Sequence, residues 1–225
     1  MAEENGAATS SPARPIRVLI IDDHEVLASS LALVLDAEED ITTAGVATTL
    51  EQARAMIDSV QPDVLLLDHR MPDGDGVAAI PSLQALRPSL GVVVLTASSA
   101  DHVLMAAIEA GASGFLSKTR SLDEVTAAVR AAAAGESVIS PEMLARLLPR
   151  FGRGKPHTAD ELTEREREVL ALVAEGLSNA AIAERLVVSV HTVRNHIASL
   201  SAKLGAHSKL EALSIALRRG LLPDL

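Results

Sequence analysis

Ile16-Arg17-Val18-Leu19-Ile20-Ile21-Asp22-Asp23-His24 decides how the first half of the chain folds. A near-continuous apolar run is what a parallel strand buried on both faces requires. Two carboxylates follow at the point where that strand must end. Working outward, a helix is predicted over about His24–Asp36, a weaker strand over Ile41–Val46, a helix over about Leu50–Val60 and a strong strand over Val64–Leu67. The loop Met71-Pro72-Asp73-Gly74-Asp75-Gly76 precedes a helix at about Val77–Leu86, a strand at Val92–Leu95 and a helix at about Asp101–Ala110. A short strand at Phe115–Leu116 and a helix at about Leu122–Ala134 complete the pattern. Five strand–helix units in about 120 residues predict an α/β fold, an open doubly wound parallel sheet; if its strand order is 2-1-3-4-5, strands 1, 3, 4 and 5 are contiguous.

The alternation then stops. Ser140-Pro141 is suited to open a short helix ending near Leu148, and Phe151-Gly152-Arg153-Gly154-Lys155-Pro156 reads as a linker. The remainder predicts a second, all-α domain of four helices. Thr163 and Glu166 fit a capping box, Ser178 and Ser189 are suited to cap the next two helices, and Ser208 with Glu211 fits another capping box before Gly220 stops the last helix. In the third helix Val193, Ile197, Leu200 and Leu204 form one apolar stripe. The expected organisation is a tail at 1–14, an α/β domain at 15–135, a linker with a short helix at 136–157, and a helical domain at 158–225.

Composition removes several function classes. With 225 residues the chain has room for one or two domains. Aromatic residues are 1% of the sequence, which argues against nucleic-acid binding by base stacking. The lack of cysteine excludes disulfides, thiolate metal sites and cysteine nucleophiles. No run of apolar residues is long enough to span a membrane, and residues 1–15 lack the basic and apolar regions of a signal peptide, so a cytoplasmic protein is expected. The net charge of −10 is unevenly spread: residues 1–150 carry 10 Lys or Arg against 21 Asp or Glu, and residues 151–225 carry 10 against 9. Between Glu184 and Glu211 there is no acid, only Arg185, Arg194, Lys203, Lys209 and three histidines. Two domains with different partners are expected.

Placed on the predicted strands, Asp22 and Asp23 end the first, Asp68 the third and Thr96 the fourth, with Lys118 just past the fifth. Ligands of open α/β sheets bind outside these carboxyl ends, at the switch in strand order. Three converging carboxylates repel one another unless a cation joins them, and hard oxygen ligands suit Mg²⁺. A lysine and a hydroxyl beside them suit phosphate oxygens. Together they describe a place where a carboxylate accepts a phosphoryl group. Any one of these acids alone reads as an ordinary loop residue; the whole ordered set does not.

Residues 16–134 resemble a bacterial response-regulator receiver domain, which has the flavodoxin-like fold. The resemblance rests on Ile20-Ile21-Asp22-Asp23-His24, Val64-Leu65-Leu66-Leu67-Asp68 with Met71-Pro72, Leu95-Thr96-Ala97 and Gly111-Ala112-Ser113-Gly114-Phe115-Leu116-Ser117-Lys118. It implies Asp68 as phosphoacceptor, forming a 4-aspartylphosphate. It implies that Asp23, Asp68 and the Arg70 carbonyl ligate Mg²⁺, with Asp22 acting through water. It further implies that Thr96 and Lys118 sense the phosphoryl group. Phe115 takes the place of a switch aromatic, and core packing explains it equally well. Ala28-Ser29-Ser30 departs from the usual, more polar stretch.

The face of the third C-terminal helix opposite its apolar stripe carries His191, Asn195, Ala198 and Ala202, flanked by Thr192, Arg194 and Ser199. It is small, polar and free of acids, as a helix in a DNA major groove must be. An ordinary solvated bundle face fits the same pattern. Residues 158–222 are similar to the helix-turn-helix domain of LuxR-type regulators. The matches are Leu162-Thr163-Glu164-Arg165-Glu166, Glu175-Gly176-Leu177-Ser178-Asn179, Thr192-Val193-Arg194-Asn195-His196-Ile197 and Lys203-Leu204-Gly205. The resemblance implies base contacts by Arg194 and Asn195, phosphate contacts by Thr192 and Lys203, and dimerisation through the final helix. Ala180, Ala181, Ala198 and Ala202 stand where relatives often carry polar or basic residues, so a weaker electrostatic footprint is expected.

A receiver followed by such a helix-turn-helix is the NarL/FixJ-type architecture. The expected function is DNA-binding transcription regulation in a two-component phosphorelay, switched by a sensor histidine kinase acting on Asp68. The expected partners are double-stranded promoter DNA, read as an inverted repeat, and a second copy of the chain on activation. The alternative is a phosphorylation-independent regulator that binds DNA or a protein constitutively; the complete Asp22/Asp23/Asp68/Thr96/Lys118 set speaks against it. An enzyme is disfavoured, because no separate nucleophile-and-acid pair accompanies Asp68.

Overall fold

The computed structural model describes residues 14–97, 101–139, 143–144, 147, 149 and 162–222. Apart from Arg14, the expected tail lies outside the described residues, as do most of the expected linker helix and residues 150–161.

Five parallel strands form one sheet: β1 (Ile16–Ile21), β2 (Ile41–Ala47), β3 (Val64–Asp68), β4 (Gly91–Thr96) and β5 (Gly114–Ser117). Their order is 2-1-3-4-5 as expected, with Val18 opposite Val64, Asp68 opposite Leu95 and Thr96 opposite Ser117. Between them run α1 (Glu25–Asp36), α2 (Leu50–Val60), α3 (Gly76–Leu86), α4 (Asp101–Glu109) and α5 (Leu122–Ala133). The apolar runs are continuous because both faces are covered. Leu19, Ile21, Leu65, Leu67, Val92 and Val94 enter one buried cluster, while their neighbours Val18, Ile20, Leu66 and Val93 enter the other. Each fully buried Leu, Ile or Val contributes about 1.5–3 kcal/mol. The loop after β3 is more ordered than its sequence announces: Arg70–Met71 and Gly74–Asp75 pair as a minute antiparallel hairpin. Within it Asp73 accepts the N–H groups of Leu50 and Glu51, which ties the loop to the start of α2.

The C-terminal helices are α6 (Glu164–Ala174), α7 (Asn179–Leu186), α8 (Val190–Leu204) and α9 (Lys209–Arg218). The capping box of Thr163 and Glu166 is complete, and the Ser178 and Ser189 side chains accept from Ala181 N and Thr192 N. The expected box at Ser208 is only half formed. Ser208 accepts from Glu211 N, but Glu211 reaches one residue further back, to the N–H of His207 at 2.6 Å. The Ser208 hydroxyl also donates to Ala112 O across the domain boundary, at 2.9 Å. That bond belongs to a broad contact. Residues of α4, Leu144, Leu147 and all four C-terminal helices share one buried apolar cluster with one face of the sheet. Arg218 and Glu109 pair at its margin.

Between α7 and α8 the chain turns at Val187, which is left-handed at φ 55° and 90% exposed. A β-branched residue there costs about 1–2 kcal/mol relative to glycine.

Candidate phosphoryl-acceptor site and nucleic-acid interface

The strand order reverses between β1 and β3, and the acids predicted to converge do so there. Asp22 is fully buried and Asp68 is 5% exposed, while Asp23 stands at the surface. Oxygens of Asp22, Asp23 and Asp68 and a ring nitrogen of His24 lie within 4.8 Å of one another. His24 was not anticipated as a member. Its Nδ1 sits 2.9 Å from Asp23 Oδ1 and 3.1 Å from Asp22 Oδ1, and its only sequence signal is adjacency to the acid pair. Two buried carboxylates and a third beside them form a hard oxygen set that fits a small divalent cation.

Lys118 supplies the counter-charge within the protein. Its Nζ donates to Asp68 Oδ2 at 2.6 Å and to Asp22 Oδ2 at 2.7 Å. Burial pushes the ammonium's pKa down, but the bonds to the two carboxylates outweigh burial and leave it raised. The other acceptor oxygen, Asp68 Oδ1, takes the N–H of Arg70 at 3.2 Å. Thr96 is buried at the end of β4, and its carbonyl accepts the Lys118 N–H at 2.9 Å, which fixes the lysine beside it. Phe115 is 7% exposed and packs in the apolar core. It also borders a cavity shared with Thr96, Leu104 and Met143.

In α8 the stripe Val193, Ile197, Leu200 and Leu204 is buried as predicted, and His191, Arg194 and Asn195 are exposed, with Thr192 half-buried. Lys203 has a role that sequence reasoning missed. Its ammonium lies 2.6 Å from Glu166 Oε2, and Ser199 donates to the other oxygen of the same carboxylate at 2.6 Å. Burial pushes the Glu166 carboxyl up, but Lys203, Ser199 and Thr163 together bring it down to about 2. Arg194, Ala198, Ser201 and Ala202 of α8 line a cavity of 470 Å³ whose other walls include Pro88–Gly91 and Ala132–Glu136. Across this cleft α8 faces the receiver, while the Arg194 side chain remains exposed.

The family model for the response regulator receiver domain matches residues 18–130, and that for bacterial regulatory proteins of the LuxR family matches residues 160–216. The DNA-binding transcriptional activator DevR/DosR of Mycobacterium tuberculosis is 35% identical over 204 residues, covering 89% of this chain and 94% of that protein. The response regulator protein VraR of Staphylococcus aureus is 32% identical over 207 residues, covering 92% and 99%. RcsB of Salmonella enterica serovar Typhimurium, solved bound to the rprA promoter with phosphomimetic BeF3⁻, is 25% identical with a TM-score of 0.54, covering 90% of this chain and 98% of that one. Among the described residues no helix is long and apolar enough to cross a membrane. With both halves matched in order and relatives aligned over nearly their whole length, the chain belongs to the NarL/LuxR-type response regulators of two-component systems, a receiver domain followed by a LuxR-type DNA-binding domain.

Proposed function

We propose that this protein is a transcription regulator whose DNA binding is switched by phosphorylation of Asp68. The observation that carries the reading is the Asp68 carboxylate at the end of β3, held by Lys118 and the Arg70 N–H and flanked by Asp22 and Asp23. An Asp68 oxygen attacks the phosphorus of a phosphohistidine on a sensor kinase. The P–N bond breaks, and the imidazole leaves with the electron pair and takes up a proton. Lys118 and the Arg70 N–H orient the acceptor, and Lys118 with Thr96 then receives the phosphoryl oxygens. Asp22, Asp23 and Asp68, with the Arg70 carbonyl, would hold Mg²⁺, which supplies charge neutralisation at the phosphoryl group.

The apolar cluster shared by the two domains, with the Ser208–Ala112 and Arg218–Glu109 contacts, supports an autoinhibited resting state. Phosphorylation releases the helical domain, so that Arg194 and Asn195 reach base edges, His191, Thr192 and Lys203 line the duplex, and two copies read an inverted repeat. The test is incubation with Mg²⁺ and acetyl phosphate, followed by intact mass, oligomeric state and promoter affinity. The wild type gains one phosphoryl group, dimerises and binds DNA more tightly; Asp68→Asn does none of these. Normal labelling of Asp68→Asn overturns the assignment. Unchanged DNA affinity of the labelled wild type overturns the switch and favours constitutive binding.

A further inference from the structure

The residues just after α5 touch both ends of the switch. Val138 leaves the helix as an added edge on the sheet: its N–H donates to Ser113 O at 2.9 Å, and its carbonyl accepts the Phe115 N–H at 3.3 Å, next to Gly114. Gly114 is required for this approach, since a Cβ there would meet Val138 Cβ and Val138 O at 2.3 Å each. Three residues further along, β5 ends at Ser117, immediately before the phosphoryl-sensing Lys118.

Two residues before Val138, Glu136 points the other way, into the DNA-binding domain. Both its oxygens accept the Asn179 N–H, at 2.9 and 3.1 Å, at the first residue of α7. A carboxylate there also meets the positive end of that helix. Glu136 Oε2 lies 3.3 Å from the ammonium of Lys209, the first residue of α9, whose side chain is 4% exposed. Lys209 is otherwise held by Leu177 O and Asn179 Oδ1 at 3.0 Å each, so Glu136 is the only charged partner recorded for it among the described residues. Burial pushes the Lys209 pKa down and Glu136 opposes the fall. Gly135, left-handed at φ 70°, makes the turn that aims Glu136 and Val138 to opposite sides.

We propose that Gly135–Ile139 is a clasp between the sensing strand and the DNA-binding domain, fastened to β5 by the Val138 main chain and to α7 and α9 by the Glu136 carboxylate. The inference rests on the autoinhibited reading above and names the contact that sets its balance. When β5 shifts around Lys118 and Phe115, the Val138 pairing and the Glu136 bonds are strained together, and the helical domain is let go as a unit. Glu136 is therefore a positioning residue for repression, remote from the acceptor and part of the wall of the cleft that α8 faces.

The experiment uses the full chain without phosphodonor and compares wild type, Glu136→Gln, Gly114→Ala and Arg218→Ala for promoter affinity at fixed salt. Amide exchange is followed at Asn179 and Val138. Gly114→Ala should unseat Val138 by steric clash, and Glu136→Gln should weaken the bonds to Asn179 and Lys209. Both should tighten promoter binding about tenfold, the size expected for loss of a charge-assisted contact. Both should speed Asn179 exchange, while acetyl phosphate still labels Asp68 normally. Wild-type affinity in both variants, with tighter binding in Arg218→Ala, overturns the clasp and leaves autoinhibition standing. Wild-type affinity in all three, with phosphorylated wild type binding no better, overturns autoinhibition itself.

Discussion

Lys203, on the helix expected to meet DNA, is bound at 2.6 Å to Glu166, a buried carboxylate that also closes the capping box of α6. The side chain expected to contact DNA phosphates is thus also a tie within the helical domain. Replacing it by alanine leaves Glu166 buried without its cation. Lys203→Ala should therefore lower unfolding stability by about 1–3 kcal/mol at neutral pH, whereas Arg194→Ala, on an exposed side chain, should leave stability unchanged. Urea denaturation of both variants checks this, and equal stability would show the Glu166 pair to be unimportant.

The same pair sets a pH dependence. Glu166 is depressed in the folded state from 4.5 to about 2. Its contribution is fully present above the unfolded value and is lost as pH falls through the folded one. The stability gap between wild type and Glu166→Gln should be constant from neutral pH to about 5. It should then shrink progressively as pH approaches 2. A gap that does not change with pH would contradict this.

Beside Asp68, the proposed acceptor, Lys118 neutralises two buried carboxylates through a single ammonium. Lys118→Ala should still take up some phosphoryl group from acetyl phosphate, because Asp68 and its neighbouring acids remain. Its DNA affinity should no longer respond, because the cation that meets the new charge is missing. A full response in this variant would remove Lys118 from the switch.

On DNA, Arg194→Ala should cost phosphorylated protein about 1–3 kcal/mol on the cognate promoter and relax specificity, as expected of a base contact. Fluorescence anisotropy on cognate and scrambled duplexes separates the cases; an equal loss on both makes Arg194 a phosphate contact.

Val187 offers a test of stability alone. Glycine adopts its left-handed turn without steric cost, so Val187→Gly should stabilise the helical domain by about 1 kcal/mol. Thermal unfolding reads the change, and a lower Tm would count against it.

Much of this was legible in the sequence because it is periodic or punctual. The doubly buried strands announce themselves as apolar runs, and Asp22, Asp68 and Thr96 fall at their ends, where topology alone brings them together. What stayed hidden depends on contacts between distant segments. Nothing local in Lys203 distinguishes a phosphate-binding lysine from one paired with Glu166, thirty-seven residues away. Glu136 reads as a linker residue because its partners, Asn179 and Lys209, lie beyond the linker. The Ser208–Glu211 spacing announces a capping box, yet the native carboxylate turns to the His207 N–H, one residue further back.

Gly91 and Thr96 are the two ends of a single rod. Gly91 lines the cleft that α8 faces, and Thr96 ends the strand beside Asp68, roughly 17 Å away at the rise of a parallel strand. The Debye length at physiological salt is about 8 Å, so charge added at Asp68 is not felt through solvent at Arg194. Under the proposed switch the message is carried as a displacement of β4 and β5, as a lever is moved. Two events in one molecule thereby acquire opposite sensitivities. Added salt will weaken the grip on DNA steeply through counterion release, while the factor by which phosphorylation opens the protein will barely change.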